Sequence, residues 1–386
     1  MISRTWILAG GLLLIPCLLA ARGADAELSS HLKTLRAVGP KGAGHRDAVA
    51  ASQAASKADP SQLTTILAAM DGANPIATNW LRGVAEAVAQ RATVSKALPI
   101  RNLESFLADT SHSPRGRRLA YELIAVSDET AESRLIPRLI DDPSLELRRD
   151  AVALALANAA AASGKDAQLA AYQKTFRSCR DHDQIKQAAD KIKQLGGKVD
   201  LPLHYGFVTT WRILGPFDNV NDKGWDAAYP PEEKVDLKAK YPGQKGEIGW
   251  IEATTSDEVG NVDLNKVLDK HKGAIAYAYA EFVSDKAQEV DLRLGCINAN
   301  KIWLNGELLT ANHVYHANTS IDQYLARGKL NKGKNTILLK VAQNEQTEEW
   351  AQEWRFQLRV CDAIGTAVLS QDRPSAASAS LPRTVR

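Results

Sequence analysis

The hydrophobic period of this chain changes once, and that change limits the folds open to it. Up to Gly196-Gly197, apolar residues recur at helical spacing; from Phe207 onward they alternate in twos. Composition follows the same divide. Residues 27–200 hold 34 Ala and 5 aromatics, whereas residues 201–370 hold 17 Ala and 17 aromatics, including six of the eight Trp. Alanine favours helix, and aromatic residues favour pleated surfaces. A length of 386 residues suits two domains. The expected architecture is an all-α half, 27–200, followed by an all-β half, 201–370. Charged residues at 24% and hydrophobic residues at 45% exclude wholesale disorder and a multi-span membrane protein. The near balance of 48 Lys+Arg against 45 Asp+Glu argues against a dedicated nucleic-acid binder.

The two ends of the chain stand apart from both halves. Arg4, the 16-residue apolar run Trp6–Ala21 and the A-x-A site Ala24-Asp25-Ala26 have the anatomy of a secretory signal peptide over 1–26. The run is shorter than the roughly 20 residues a spanning helix needs. The expected destination is the periplasm, the cell envelope or the extracellular space, with no transmembrane span in the mature chain. Leu14-Ile15-Pro16-Cys17 loosely resembles a lipobox, with Pro16 where a small residue is expected, so lipidation at Cys17 stays open. Cleavage leaves 46 basic residues, 44 acidic residues and three cysteines, Cys179, Cys296 and Cys361. An odd number cannot form a complete disulfide framework. The strand phases of Cys296 and Cys361 speak against a bridge between them, without closing the question. Residues 371–386, rich in Ser, Ala and Pro, read as a disordered tail.

Within the helical half, Leu63, Ile66, Leu67 and Met70 share one face, as do Leu81, Val84, Ala85 and Val88. Shorter patterns follow at 101–109 and 114–126. In residues 131–157 a helix carrying Leu135, Ile136, Leu139 and Ile140 stops at Asp141-Asp142-Pro143, and a second begins there. This helix–Asp-Pro–helix unit, with Arg148-Arg149 and an Ala-Val-Ala-Leu run, resembles a HEAT repeat. The expected kink at Pro137 fits the same family. First-helix leucines at Leu67, Leu107 and Leu139 give spacings of 40 and 32 residues. A final helix pair is expected over 167–195. The resemblance implies a short solenoid that offers a surface to a protein partner; a plain helical bundle is the alternative.

The β half begins with Phe207 to Leu214, which stops at the turn cluster Gly215-Pro216-Phe217-Asp218-Asn219. A long loop over 216–247 comes next, then alternating segments at 274–283 and 288–297. Ile302-Trp303-Leu304-Asn305-Gly306-Glu307 predicts a hairpin, since Asn-Gly suits a type I′ turn. Segments Leu330–Val341 and Trp354–Val360 complete about eight strands, expected as a two-sheet sandwich. The Asn-Gly strand, the following "GKNTILLKV" segment and the last "W-x-F-x-L-x-V" strand resemble the galactose-binding-like jelly roll. The opening W-x-x-x-G-P-F-D-N resembles domains in large exported, planctomycete-type bacterial proteins. The resemblance implies a fold and a glycan ligand; the fold by itself does not assign one.

A sugar site needs an aromatic face for ring C–H groups and planar polar groups for hydroxyls. Three loops supply them: Asp218, Asn219 and Trp225; His313, Tyr315, His316 and Asn318; and Gln343, Asn344, Glu345 and Trp350. Trp211, Trp303 and Trp354 lie in strands and read as core. Asp218-Asn219 also reads as turn chemistry. His313-x-x-His316 lacks a third ligand, so no metal site is expected, and whether Ca²⁺ steadies a loop is open. No cofactor motif is present, and common hydrolase and nucleotide-binding signatures are missing. Cys179, His182 and Asp183 point in different directions on one helical stretch, which speaks against a triad. The leading expectation is an exported, non-enzymatic binding or adaptor protein. Its alternatives are a structural envelope assembly protein, and a glycoside hydrolase-like enzyme using Glu345, Glu348 or Glu353.

Overall fold

The helical half is built from helices whose starts are written in the chain. Asn74 caps Pro75–Val94 by accepting from Ile76 N and Ala77 N, each at 3.0 Å. Ser113 caps Pro114–Ser127 through Gly116 N at 3.1 Å. In both, proline occupies the first turn, where its missing N–H costs nothing. Leu63–Ala68 and Ile100–Ala108 precede these two helices, and Ala131–Leu135 precedes Leu145–Ala161. At Pro137 the backbone tightens into a 3₁₀ turn, Ile136–Leu139, the expected kink. A computed structural model describes residues 15–373, with side chains from Asp25. Residues 1–14 and 374–386 lie outside it, and with them most of the signal-peptide and tail readings. Among the described residues no helix is long and apolar enough to cross a membrane.

The chain divides into two compact units, Met1–Asn158 and Ala159–Arg386. In the first, Leu63, Ile66, Leu67, Leu81, Val84, Leu103, Leu107, Leu119 and Leu147 merge into one core. Polar ties join successive helix pairs. Asp71 accepts from Ser113 N at 2.6 Å and bonds His112 Nδ1 at 2.7 Å. Arg117, 1% exposed, forks onto both carboxylate oxygens of Asp142 and donates Nε–H to Leu107 O.

The second unit opens with Lys165–Phe176 and His182–Gln194, so the last helix pair belongs to the same unit as the strands. Its strands are β1 (Thr210–Asp218), β2 (Lys240–Gly243), β3 (Gly246–Gly249), β4 (Ile251–Thr254), β5 (Val262–Asp263), β6 (Ala274–Ser284), β7 (Gln288–Cys296), β8 (Ala299–Leu304), β9 (Glu307–Asn312), β10 (Tyr324–Leu330), β11 (Gly333–Gln343) and β12 (Arg355–Cys361). One sheet runs β4-β1-β6-β11-β8-β9 and another β10-β7-β12-β5, with β2-β3 a separate hairpin. Every pairing is antiparallel. Asn305 and Gly306 take positive φ at the β8–β9 turn, as the Asn-Gly pair predicts.

Two expectations are corrected. β1 does not stop at Gly215-Pro216; it runs through to Asp218, and its register against β6 shifts between Leu214 and Phe217. A bulge is where a strand tolerates a residue without an N–H. The stretch 216–247 is not an open loop. It contains short helices and the β2–β3 hairpin, and Trp225, Tyr229, Val235, Tyr241 and Ile248 pack on the outer face of the six-stranded sheet. The alternation of β6 serves both faces. Ala276, Ala278 and Ala280 face the inter-sheet core, where Trp211, Trp354 and Phe356 fill the space, and Ile275, Tyr277 and Tyr279 face the cap. Cys179, Cys296 and Cys361 are buried and unbridged.

Candidate functional site

Antiparallel pairing brings the C-terminal ends of β1, β9 and β11 to one end of the sandwich, where the three loops singled out in the sequence meet. One amide ties them. Asn219, fully buried, donates from Nδ2 to Tyr315 Oη at 3.1 Å and to Gln343 O at 3.2 Å. The turn beneath it accepts only glycine at 224, because a Cβ there would lie 2.3 Å from Asp218 O.

Asp222, not singled out in the sequence, is the hub. It accepts from Tyr315 Oη and pairs with His313 Nε2 at 2.6 Å. The His313 ring stacks on Trp225 at 4.4 Å and 6°, and Lys301 Nζ lies 4.6 Å from the same indole centroid. Trp225 is therefore covered, and it anchors the cap rather than offering a platform. Burial pushes the Tyr315 phenol up, so it stays a neutral donor to Asp222.

The outer part of the cluster is open. His316 Nε2 bonds Asn344 Oδ1 at 2.8 Å, and its ring stands edge-on to Trp350 at 5.0 Å. Trp350 is 58% exposed. Glu345 Oε2 accepts from Asn221 N at 2.8 Å, joining the first loop to the third. Asp218 does what turn chemistry asks of it: it accepts from Val220 N and pairs with Lys223, which holds its carboxyl below the usual range. Asn318 is exposed. His316 Nδ1 and Asn219 Oδ1 are buried without a hydrogen-bond partner. Among the described residues no group of three or more His, Cys, Asp or Glu side chains is placed to hold a metal ion.

Beside this cluster lies a feature that sequence reasoning missed. Lys340, on the outward phase of β11 between Leu338 and Ala342, is fully buried under the cap. Its Nζ donates to Glu232 Oε1 at 2.7 Å, Ala227 O at 2.8 Å and Trp225 O at 3.1 Å. Tyr277, its register partner on β6, donates to Glu232 as well. Burial lowers the Lys340 pKa, and Glu232 works against that shift. Three acceptors for three N–H bonds suit an ammonium held as a structural cation. The available signal was a lysine set within Ile337-Leu338-Leu339-Lys340-Val341-Ala342, a run otherwise apolar on both faces. The Cys179-His182-Asp183 run assembles no nucleophile: burial pushes the Cys179 thiol up to about 12, and His182 Nδ1 bonds Tyr205 Oη.

No protein-family model matches this chain, and no curated protein matches it. Among solved structures, a β-glucosidase from Kluyveromyces marxianus is 10% identical at a TM-score of 0.26, over 72% of this chain and 35% of that one. A GH31 α-xylosidase from Xanthomonas citri is 11% identical at 0.19, over 39% and 17%. A cycloisomaltooligosaccharide glucanotransferase from Paenibacillus sp. is 10% identical at 0.16, over 46% and 22%. This chain thus spans about a third or less of the length of the structures it matches. At those scores the likenesses carry no argument about what the chain binds or does.

Proposed function

We propose that the chain is an exported, non-enzymatic binding protein whose β unit holds carbohydrate at the three-loop end of the sandwich. The observation that carries this reading is Trp350. It is a large, exposed indole beside polar groups of the same end, His316, Asn344, Glu345 and Gln346. An exposed aromatic face with planar amides and a carboxylate around it is the chemistry that receives a sugar ring. Two of the three candidate carboxylates are engaged, Glu345 by the Asn221 N–H and Glu353 by Arg355 at 2.8 Å, while Glu348 is exposed. That favours binding over acid–base catalysis. The helix pairs of the first unit, tied by Asp71 and by the Arg117–Asp142 fork, support a HEAT-like scaffold for a protein partner.

The test is a glycan array probed with the full chain and with Trp350→Ala. Binding of a defined glycan class, lost in the variant while the melting temperature holds, is the expected result. No glycan bound by either protein would remove the sugar reading and leave the second one, structural assembly. The mutual contacts of Asp222, Trp225, His313 and Tyr315, with the Asn219 amide donating to Tyr315, favour that second reading, since those groups lock the cap.

A further inference from the structure

The opposite end of the same sandwich carries a cavity. β1 runs between the two ends over nine residues, roughly 27 Å at about 3.3 Å per residue. The cavity measures about 320 Å³, and Val208, Leu237, Val368 and Leu369 supply its accessible apolar lining, above the buried rings of Phe207, Trp211 and Phe282. That is the small end of the usual range for small-molecule pockets, about 300–1,000 Å³.

Four charged side chains border it: Arg212, Glu281, Asp372 and Arg373. Two are neutralised outright. Arg212 pairs with Glu252 at 2.5 Å and Glu281 with Lys334 at 2.5 Å. Asp372 is exposed and accepts from the Ser370 hydroxyl. Arg373 is different. It is half-buried, and its Nη1 donates to Phe207 O at 2.7 Å. Among the described residues no carboxylate lies within ion-pair distance of it. Its burial pulls the guanidinium pKa down, and only Asp200 acts the other way. A planar fork with donors to spare, beside an apolar hollow, is built to take a carboxylate.

We propose that this cavity binds a small carboxylic acid with an apolar body, the body against Leu237, Val368 and Leu369 and the carboxylate on Arg373. The site is independent of the carbohydrate reading of the other end. Three probes of one shape and different heads test it on the full chain by calorimetry: phenylbutanoate, phenylbutanol and phenylbutylamine. Phenylbutanoate binds with a Kd below about 1 mM, and the alcohol and the amine bind at least about tenfold more weakly. Arg373→Gln removes the preference for the acid. Asp372→Asn, which deletes the nearby negative charge, tightens phenylbutanoate. Melting curves establish that both variants fold. Equal binding of the three probes, no binding of any, or an acid preference that survives Arg373→Gln would overturn the proposal. So would acid binding that appears only after removal of residues 374–386, which would assign the cavity to the chain's own tail.

Discussion

Arg117 in the first unit and Lys340 in the second are both buried completely, and they are held in opposite ways. Arg117 meets Asp142 within the same run of helices, 25 residues along the chain. The guanidinium fork matches the carboxylate at two points, and a third donor reaches Leu107 O. Lys340 meets partners 108 to 115 residues distant, all in the cap. Its ammonium has no planar shape to match, so it takes one carboxylate and two carbonyls. The arginine belongs to a local joint between helix pairs. The lysine holds a long segment over a sheet face that would otherwise be bare. A buried ion stabilises only while its partners remain, and the cost of removing one falls as water reaches the other more easily.

The helical joint should break hardest. Arg117→Leu leaves Asp142, whose side chain is 5% exposed, buried without its counter-ion. The expected loss is about 3–5 kcal/mol of unfolding free energy, read as a fall in the urea midpoint. The double variant Arg117→Leu, Asp142→Leu should recover part of that loss. If it does not, the fork is not what makes the joint costly to break.

Lys340→Met comes next, with a smaller loss of about 2–3 kcal/mol. Glu232 is 13% exposed in its side chain and sits on the cap, so it can move toward water. The effect should therefore be local. Limited proteolysis should find new cleavage within 226–250 while the six-stranded and four-stranded sheets stay protected. Uniform protection of that segment would mean that its aromatic contacts, Phe217 with Tyr229 at 4.5 Å above all, hold the cap without the lysine.

These two cations also mark what sequence could and could not show. The joint was half legible: Asp142-Pro143 with the helical leucines on either side located the turn, and only the arginine's destination was hidden. The sandwich was legible through the alternation in β6, β7, β11 and β12 and through Asn305-Gly306. The cap was not. Residues 216–247 carry no period, because short helices and a four-residue hairpin strand are too brief to show one. The three-loop cluster was legible as residue types, aromatics and amides on three separate loops. Which of them face water depends on packing. Trp225 and Trp350 look alike in sequence, yet one is stacked under His313 and the other stands exposed.

A third base sharpens the comparison by lacking a carboxylate. His204 stacks near Phe176 at 4.1 Å and bonds Cys179 O through Nε2 at 3.2 Å. Burial, with Arg180 and Arg359 adding to it, lowers its pKa to about 4. In the unfolded chain the group titrates near its ordinary value, about 6.5. Between those values the unfolded state holds a proton that the folded state refuses, so stability is complete above about pH 6.5 and falls as the pH drops toward 4. The expected loss is on the order of 2 kcal/mol, allowing for partial exposure. Urea midpoints of the wild type and His204→Gln, compared at pH 7, 5.5 and 4.5, isolate it from the carboxylates. Their difference should shrink steadily on acidification; a difference that does not change with pH would remove His204 as the cause.

The smallest stability effect belongs to the residue on which the functional reading rests. Trp350→Ala removes an exposed ring that no buried group depends on, so the change should stay within about 0.5 kcal/mol. His313→Ala, two loops away, should cost more. It strips one face of Trp225 and leaves Asp222 with Tyr315 alone, yet the ring it removes is not the one offered to a ligand. The two variants thus separate holding the cap from holding a sugar. If Trp350→Ala abolishes glycan binding at unchanged stability while His313→Ala weakens the fold and keeps binding, the end of the sandwich has an inner lock and an outer site. If binding follows stability in both, the cluster is a lock alone, and Trp350 is an ordinary exposed tryptophan.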